Sequence, residues 1–170
     1  MGMKADVMVL VDDREKYPLL FPSSVTYYPW RDAREGVLVD VEVTSTTLSV
    51  GDYMLMNDRA CIIERKGNLQ ELFHNVMTRD YKRFTSALDR LSEACEFPYL
   101  LLEETVAGLL TVAKDLECPE VVVDSFLREI ALRNISLLLV GKTESIGGRT
   151  RLGEFALRIL LSHLDFRKMC

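Results

Sequence analysis

An α/β fold, a mixed β-sheet flanked by helices, is what the sequence predicts, and three observations predict it. Strand-like runs cluster before residue 66 and alternate with helix-like stretches after it. Val7-Met8-Val9-Leu10-Val11 is a continuous apolar, β-favouring run of the kind that forms a buried central strand. Tyr99-Leu100-Leu101-Leu102 and the run from Ile135 to Val140 repeat that signature later in the chain. At 170 residues the chain is expected to form one domain, residues 1–170, large enough to bury a core without staples.

The elements follow in order. The first strand ends in Asp12-Asp13-Arg14-Glu15, and a loop with Pro18 and Pro22 follows. Val25 to Tyr28 is a short second strand. In Val37 to Val43 the valines take one face and the acids the other, which predicts a half-buried strand. Thr44 to Ser49 reads as a turn or edge segment. Tyr53 to Met56 and Ala60 to Lys66 form a hairpin across Asn57-Asp58, giving the sheet an antiparallel meander at its start. A helix is expected over Gly67 to Val76, and a clearer one over Asp80 to Cys95. At about 100° per residue, Phe84, Leu88, Leu91 and Cys95 share one face of the latter, while Arg79, Arg83 and Arg90 share another with Lys82 beside them. Val106 to Leu116 is helical, and Pro119 opens a helix running to about Arg133. Gly147-Gly148 is expected to break the chain, with Thr150 capping a last helix that reaches about His163.

Composition excludes several function classes. The cysteines (Cys61, Cys95, Cys118, Cys170) form no C-x-x-C pair, and His74 and His163 are the two histidines. A zinc site and a disulfide framework are therefore both disfavoured, and the cysteines read as small hydrophobes in a reducing compartment. The apolar run at the N-terminus is too short for a signal peptide, and no run is long enough to span a membrane, so the expectation is a cytoplasmic protein with no membrane association. A net charge of −5 argues against general DNA coating, which calls for a basic protein. It is compatible with a metal site beside a local basic stripe.

Ala60-Cys61-Ile62-Ile63-Glu64-Arg65-Lys66 carries the chemistry. An apolar strand rises straight into three charges. On a strand of period two, Glu64 and Lys66 share a face and Arg65 points the other way. A carboxylate and an ammonium side by side at the end of a buried strand suit metal-assisted phosphodiester cleavage. Asp52, one short strand upstream, is the second carboxylate such a site needs, and Gly51 would let the backbone turn sharply before it.

Other features are open to more than one reading. The stripe of Arg79, Lys82, Arg83 and Arg90 suits a solvated helix face, partly neutralised by Asp89 and Glu93, or a contact to a nucleic-acid backbone. Arg149, Arg151 and Arg158 form a looser basic group. His74 is left unassigned. Glu103 and Glu104 end a strand and are candidates to approach a metal. Asp12-Asp13 at a strand end also occurs in phosphoreceiver domains, but Asp52 does not end a buried strand as the third aspartate of such a domain should. Leu152, Phe155, Ala156, Ile159 and Leu160 suit either a symmetric dimer face or ordinary core packing.

The order of the motifs is more specific than any one of them. Val11-Asp12-Asp13-Arg14-Glu15, then Val50-Gly51-Asp52-Tyr53, then Ile63-Glu64-Arg65-Lys66 resembles the nuclease domain of the XPF-type structure-specific endonucleases, which carries V-D-x-R-E, G-D-Y and V-E-R-K-x-x-x-D. Arg83-Phe84 resembles that family's G-R segment, with Lys82 in place of glycine. Leu100-Leu101-Leu102-Glu103 resembles its L-L-I-E strand. The resemblance runs from about residue 6 to 164. It implies a restriction-endonuclease-like mixed sheet flanked by helices, cutting branched or junction DNA such as flaps and forks with Mg2+ or Mn2+, in DNA repair or recombination. Matched residue by residue, Asp52 and Glu64 would be metal ligands and Lys66 the catalytic lysine. Asp12, Arg14 and Glu15 would complete the site, Asp12 as a further ligand, or hold it in shape. Arg65 would orient its neighbours through a buried ion pair.

Two departures qualify what the resemblance implies. The family's last aspartate is Gln70 here, which offers a neutral oxygen and no charge. Glu71 is adjacent, but one helical step turns it by about 100°. The tandem helix-hairpin-helix domains that many members carry do not follow in this sequence. The expectations are then a homodimer through the nuclease domain, a DNA-binding partner protein that supplies the grip, or a compact stand-alone form such as a phage or mobile element would encode. The rival expectation is a catalytically weak or inactive XPF-like domain that binds DNA junctions or a partner nuclease.

Overall fold

β1 (Lys4–Asp12) is the strand on which the first part of the chain is built. In the computed structural model, which describes residues 4–30, 35–67, 72–73, 81–113 and 119–164, Ala5, Val7, Val9 and Val11 of this strand are all buried. β2 (Ser24–Tyr27), β3 (Val37–Thr46), β4 (Tyr53–Leu55), β5 (Asp58–Lys66), β6 (Phe97–Leu102) and β7 (Ser136–Leu139) complete a seven-stranded mixed sheet in the order β2-β3-β1-β4-β5-β6-β7. Among the described residues, the helices longer than one turn are α1 (Tyr81–Ala94), α2 (Val106–Ala113), α3 (Pro119–Leu132) and α4 (Ile146–Ser162). The chain divides into two compact units, Met1–Cys61 with Thr143–Cys170, and Ile62–Lys142, so that the division falls within β5.

In the first unit β1 runs parallel to β3, pairing Val7 with Val41 and Asp12 with Thr46. It runs antiparallel to β4, pairing Val11 with Tyr53. β2 is antiparallel to β3. The expected opening meander is thus interrupted by one parallel pair, β1 with β3, since the connection from β1 passes through β2 on the far side of β3. Val37 and Val39 are fully buried, whereas Val43 is 47% exposed. The reason is register: β2 reaches only Val37 to Asp40, and beyond that point β3 has lost its outer neighbour.

α4 begins earlier than the sequence suggests. Ser145, not Thr150, is the N-cap, its side chain accepting from the Gly148 amide at 3.0 Å. Gly147 and Gly148 lie in the first turn rather than breaking the chain. A Cβ on Gly148 would stand 3.1 Å from the Thr143 backbone, so the small residue permits the approach. Leu152, Ala156, Ile159 and Leu160 are buried, and Phe155 alone of the proposed dimer stripe is well exposed. Ordinary packing therefore accounts for that stripe.

In the second unit β6 and β7 are parallel, joined through α2 and α3, as the alternation of elements predicts. α1 buries Phe84, Leu88 and Leu91, the stripe read from its period. The Phe126 ring of α3 lies 6.4 Å from that of Phe84 and 6.3 Å from that of Phe73. Of the helix expected over residues 67–76, Leu72 and Phe73 are described, helical and buried, and the rest lies outside the described residues. Among the described residues, no helix is long and apolar enough to cross a membrane.

Candidate functional site

The predicted site residues fall into two groups, one in each unit. In the first, Asp12 ends β1 and is 5% exposed. Arg14 Nε donates to both of its carboxylate oxygens, at 3.1 and 2.9 Å. Arg14 Nη2 donates to the Leu48 carbonyl at 2.6 Å, and the Leu48 amide donates to Asp12 Oδ1 at 3.3 Å. Burial pushes the Asp12 pKa up, but the Arg14 hydrogen bond, the Leu48 amide and the Arg14 charge together hold it below the ordinary carboxylate value. Asp12 was expected among the metal ligands. In the structure its two oxygens accept from Arg14 and one of them also from the Leu48 amide, which anchors the carboxylate at the end of β1.

The same group contains Asp52. Gly51 has φ 71°, the left-handed conformation that its position demanded. Asp52 follows, buried at 8% exposure, with its carbonyl accepting from the Asp12 amide at 2.9 Å. Tyr53 is fully buried, and its hydroxyl accepts from the Leu19 amide at 3.1 Å and reaches Glu15 Oε2 at 3.5 Å. The structure therefore brings Asp12, Arg14, Glu15 and Asp52 into one bonded region. Sequence reasoning missed Tyr53 and Leu48 as parts of it. The G-D-Y motif held the signal for Tyr53, whereas Leu48 acts through its backbone and leaves no signal.

In the second unit Ile62 and Ile63, which follow buried Cys61, are buried in turn, and β5 then emerges into charge. Lys66 Nζ stands 2.5 Å from Glu64 Oε1, on one face of the strand. Glu64 is 20% exposed and Lys66 42%, so both remain within reach of a ligand. Arg65 points the other way and pairs with Glu103, through both Nε and Nη2. The Glu103 amide also donates to the Lys66 carbonyl at 2.9 Å. Glu104 turns to its own backbone, accepting from the Thr105 amide at 2.8 Å. The two acids that end β6 are thus committed, one to Arg65 and one to the entrance of α2.

The basic face of α1 survives in part. Lys82, Arg83 and Arg90 are exposed. Asp89, expected to neutralise them, pairs instead with Arg133 at 2.6 Å. Arg149 donates to the Pro18 carbonyl at 3.3 Å, and Arg158 pairs with Glu154 at 2.9 Å, so that second basic group is partly engaged locally. Arg79, Gln70, Glu71 and His74 lie outside the described residues. Among the described residues, no three Asp, Glu, His or Cys side chains form a group able to hold a metal ion. The donors that the motifs supply, Asp52 and Glu64, are hard carboxylate oxygens of the type that Mg2+ and Mn2+ take.

The fold and sequence have known counterparts. The chain is similar in structure to XPF from Aeropyrum pernix, with a TM-score of 0.60 and 19% identity, over 94% of this chain and 63% of that one. A second structure, XPF from Aeropyrum pernix in complex with DNA, matches with a TM-score of 0.54 and 20% identity, over 96% of this chain and 78% of that one. The chain thus spans less than two thirds of the first of these relatives. No curated protein matches the sequence. Residues 11–138 match the ERCC4 domain, a span that takes in Asp12, Asp52, Glu64 and Lys66, and the chain belongs to the ERCC4 domain family.

Proposed function

We propose that this chain is a divalent-metal-dependent DNA endonuclease that hydrolyses phosphodiester bonds at branched or junction DNA. The observation that carries the proposal is the Glu64–Lys66 pair on one face of β5, with Arg65 committed to Glu103 on the other. The family membership and the DNA complex of one similar structure support the substrate class.

Asp52 and Glu64 would hold the ion, and the ion would neutralise charge on the scissile phosphate and acidify a water. Lys66 would lie against the attacking hydroxide or the pentavalent phosphorus, where an ammonium stabilises developing negative charge. The ion pair with Glu64 at 2.5 Å holds that ammonium beside the proposed metal-binding carboxylate. Lys82, Arg83 and Arg90, with Arg79, would hold the DNA backbone, and DNA that bends easily at a nick or fork would set the junction preference.

Cleavage of flap, fork and duplex DNA with Mg2+ or Mn2+ tests this, comparing wild type with Glu64→Ala and Asp52→Asn. Wild type is expected to cut branched DNA faster than duplex, and each variant to lose about 100-fold or more. Equal cleavage by wild type and both variants would remove the assignment. A second reading has one observation in its favour: Gln70 stands where the family signature has aspartate. Under that reading the domain binds junctions, alone or with a partner nuclease, and wild type shifts branched DNA in a gel without cutting it.

A further inference from the structure

Residues 47–51 have no regular strand or helix, yet they lead directly into Asp52. A functional carboxylate delivered by a loop needs that loop fixed to something rigid. The end of β1 supplies the fixture. Asp12 accepts from the Leu48 amide, and the Asp12 amide donates to the Asp52 carbonyl, so one residue ties both ends of the loop. Arg14 closes the arrangement, its Nε on the Asp12 carboxylate and its Nη2 on the Leu48 carbonyl. Leu48 is thus held at both its amide and its carbonyl by one ion pair, with its side chain buried at 6% exposure. Thr47 Oγ1 adds a third tie by donating to Asp13 Oδ2 at 2.7 Å.

The chemistry favours arginine for this task. Bridging a carboxylate and a carbonyl needs two donors in a fixed planar fork, and lysine offers a point charge on a flexible stem. We propose that Arg14 is a positioning residue whose clasp on Asp12 and Leu48 sets loop 47–51 and thereby orients Asp52. The proposal rests on the nuclease reading only for what Asp52 then does. The Arg14 side chain is 64% exposed, so its replacement leaves the core intact, and the rival role of the exposed guanidinium is direct contact with a DNA phosphate.

Amide hydrogen exchange and single-turnover cleavage of a forked DNA, on wild type, Arg14→Gln and Arg14→Lys, separate the two roles. The clasp predicts exchange faster by about 10-fold or more at Leu48 to Asp52 in both variants, with the Val7 to Val11 amides unchanged. It also predicts a maximal cleavage rate about 10-fold lower at an unchanged half-saturating DNA concentration. Asp12→Asn, which replaces one of the two acceptor oxygens by a donor and removes the charge that pairs with Arg14, is expected to loosen the same amides. Unchanged loop exchange in Arg14→Gln overturns the proposal, as does a weaker half-saturation at an unchanged maximal rate, the pattern of a phosphate contact. Should wild type fail to cut DNA, the nuclease reading falls and the exchange measurement still decides the clasp.

Discussion

Arg65 and Glu103 pair across the ends of β5 and β6, with side chains only 9% and 6% exposed. The backbone doubles the link, since the Glu103 amide donates to the Lys66 carbonyl. Arg65 lies on the opposite face of β5 from Glu64 and Lys66, so the pair steadies the strand end without occupying the face proposed for chemistry. Removing one partner leaves a buried charge uncompensated, whereas removing both does not. Arg65→Met is therefore expected to cost about 3–5 kcal/mol, and the double variant Arg65→Met/Glu103→Leu to recover most of that loss. Denaturant unfolding of the two variants reads the difference.

Gly153 of α4 packs directly on the backbone of Leu20, where a Cβ would run into the carbonyl. Both partners are main-chain, so neither gives way cheaply. Gly153→Ala is expected to destabilise the protein by about 1–3 kcal/mol in thermal unfolding. Gly67→Ala, where a Cβ would meet nothing within 4 Å, provides the control and is expected to be near neutral.

A network on the second unit sets a pH dependence at both ends of the scale. The Tyr81 hydroxyl donates to Glu129 Oε1 at 2.5 Å, and Arg133 holds the other oxygen at 2.5 Å while also bonding Asp89. The Tyr81 hydrogen bond, with Arg133 and against burial, holds the Glu129 carboxyl below its ordinary value of 4.5. A depressed carboxylate contributes stability above its unfolded pKa and loses it as pH falls through the folded one. The same bond, with burial and the Glu129 charge, raises the Tyr81 hydroxyl above 10.0, so its contribution is full below that value and is lost as pH rises through the folded pKa. Glu129→Gln is expected to flatten the acid limb of a stability–pH curve below about pH 4.5, and Tyr81→Phe the alkaline limb. A variant curve parallel to wild type across both limbs would contradict the assignment.

The exposed face of α1 makes a separate prediction. If Lys82, Arg83 and Arg90 contact phosphates, replacing all three with Gln weakens DNA binding uniformly across sequences. The slope of log affinity against log salt then falls by about 0.9 for each lost contact. A slope equal to that of wild type would mean that this face is merely solvated.

What the sequence made legible, and what it did not, has a physical basis. The shared face of Glu64 and Lys66, and the opposite direction of Arg65, follow from the period of a strand and needed nothing else. The left-handed turn at Gly51 and the buried stripe of α1 were equally local. The parallel pairing of β1 with β3 was not, because an apolar strand reads the same whichever direction its neighbour runs. Nor was the Arg14–Leu48 bond, which spans 34 residues and ends on a backbone carbonyl. Asp89 looked like a neighbour of Arg83 and Arg90 on its own helix, yet Arg133, 44 residues away, claims it. The start of α4 was misplaced because paired glycines ordinarily disfavour a helix, whereas here Gly148 sits in the first turn, where a Cβ would come close to the Thr143 backbone.

The most direct measurement is single-turnover cleavage of one end-labelled forked DNA by wild type and Glu64→Gln, with Mn2+ titrated in and then removed by chelation. Glu64→Gln keeps the shape of the side chain and removes its charge, so binding to DNA is expected to persist. The proposal predicts metal-dependent cutting by wild type that stops on chelation, and a rate lowered by about 100-fold or more in the variant. Cutting that survives chelation, or that Glu64→Gln matches, would contradict it.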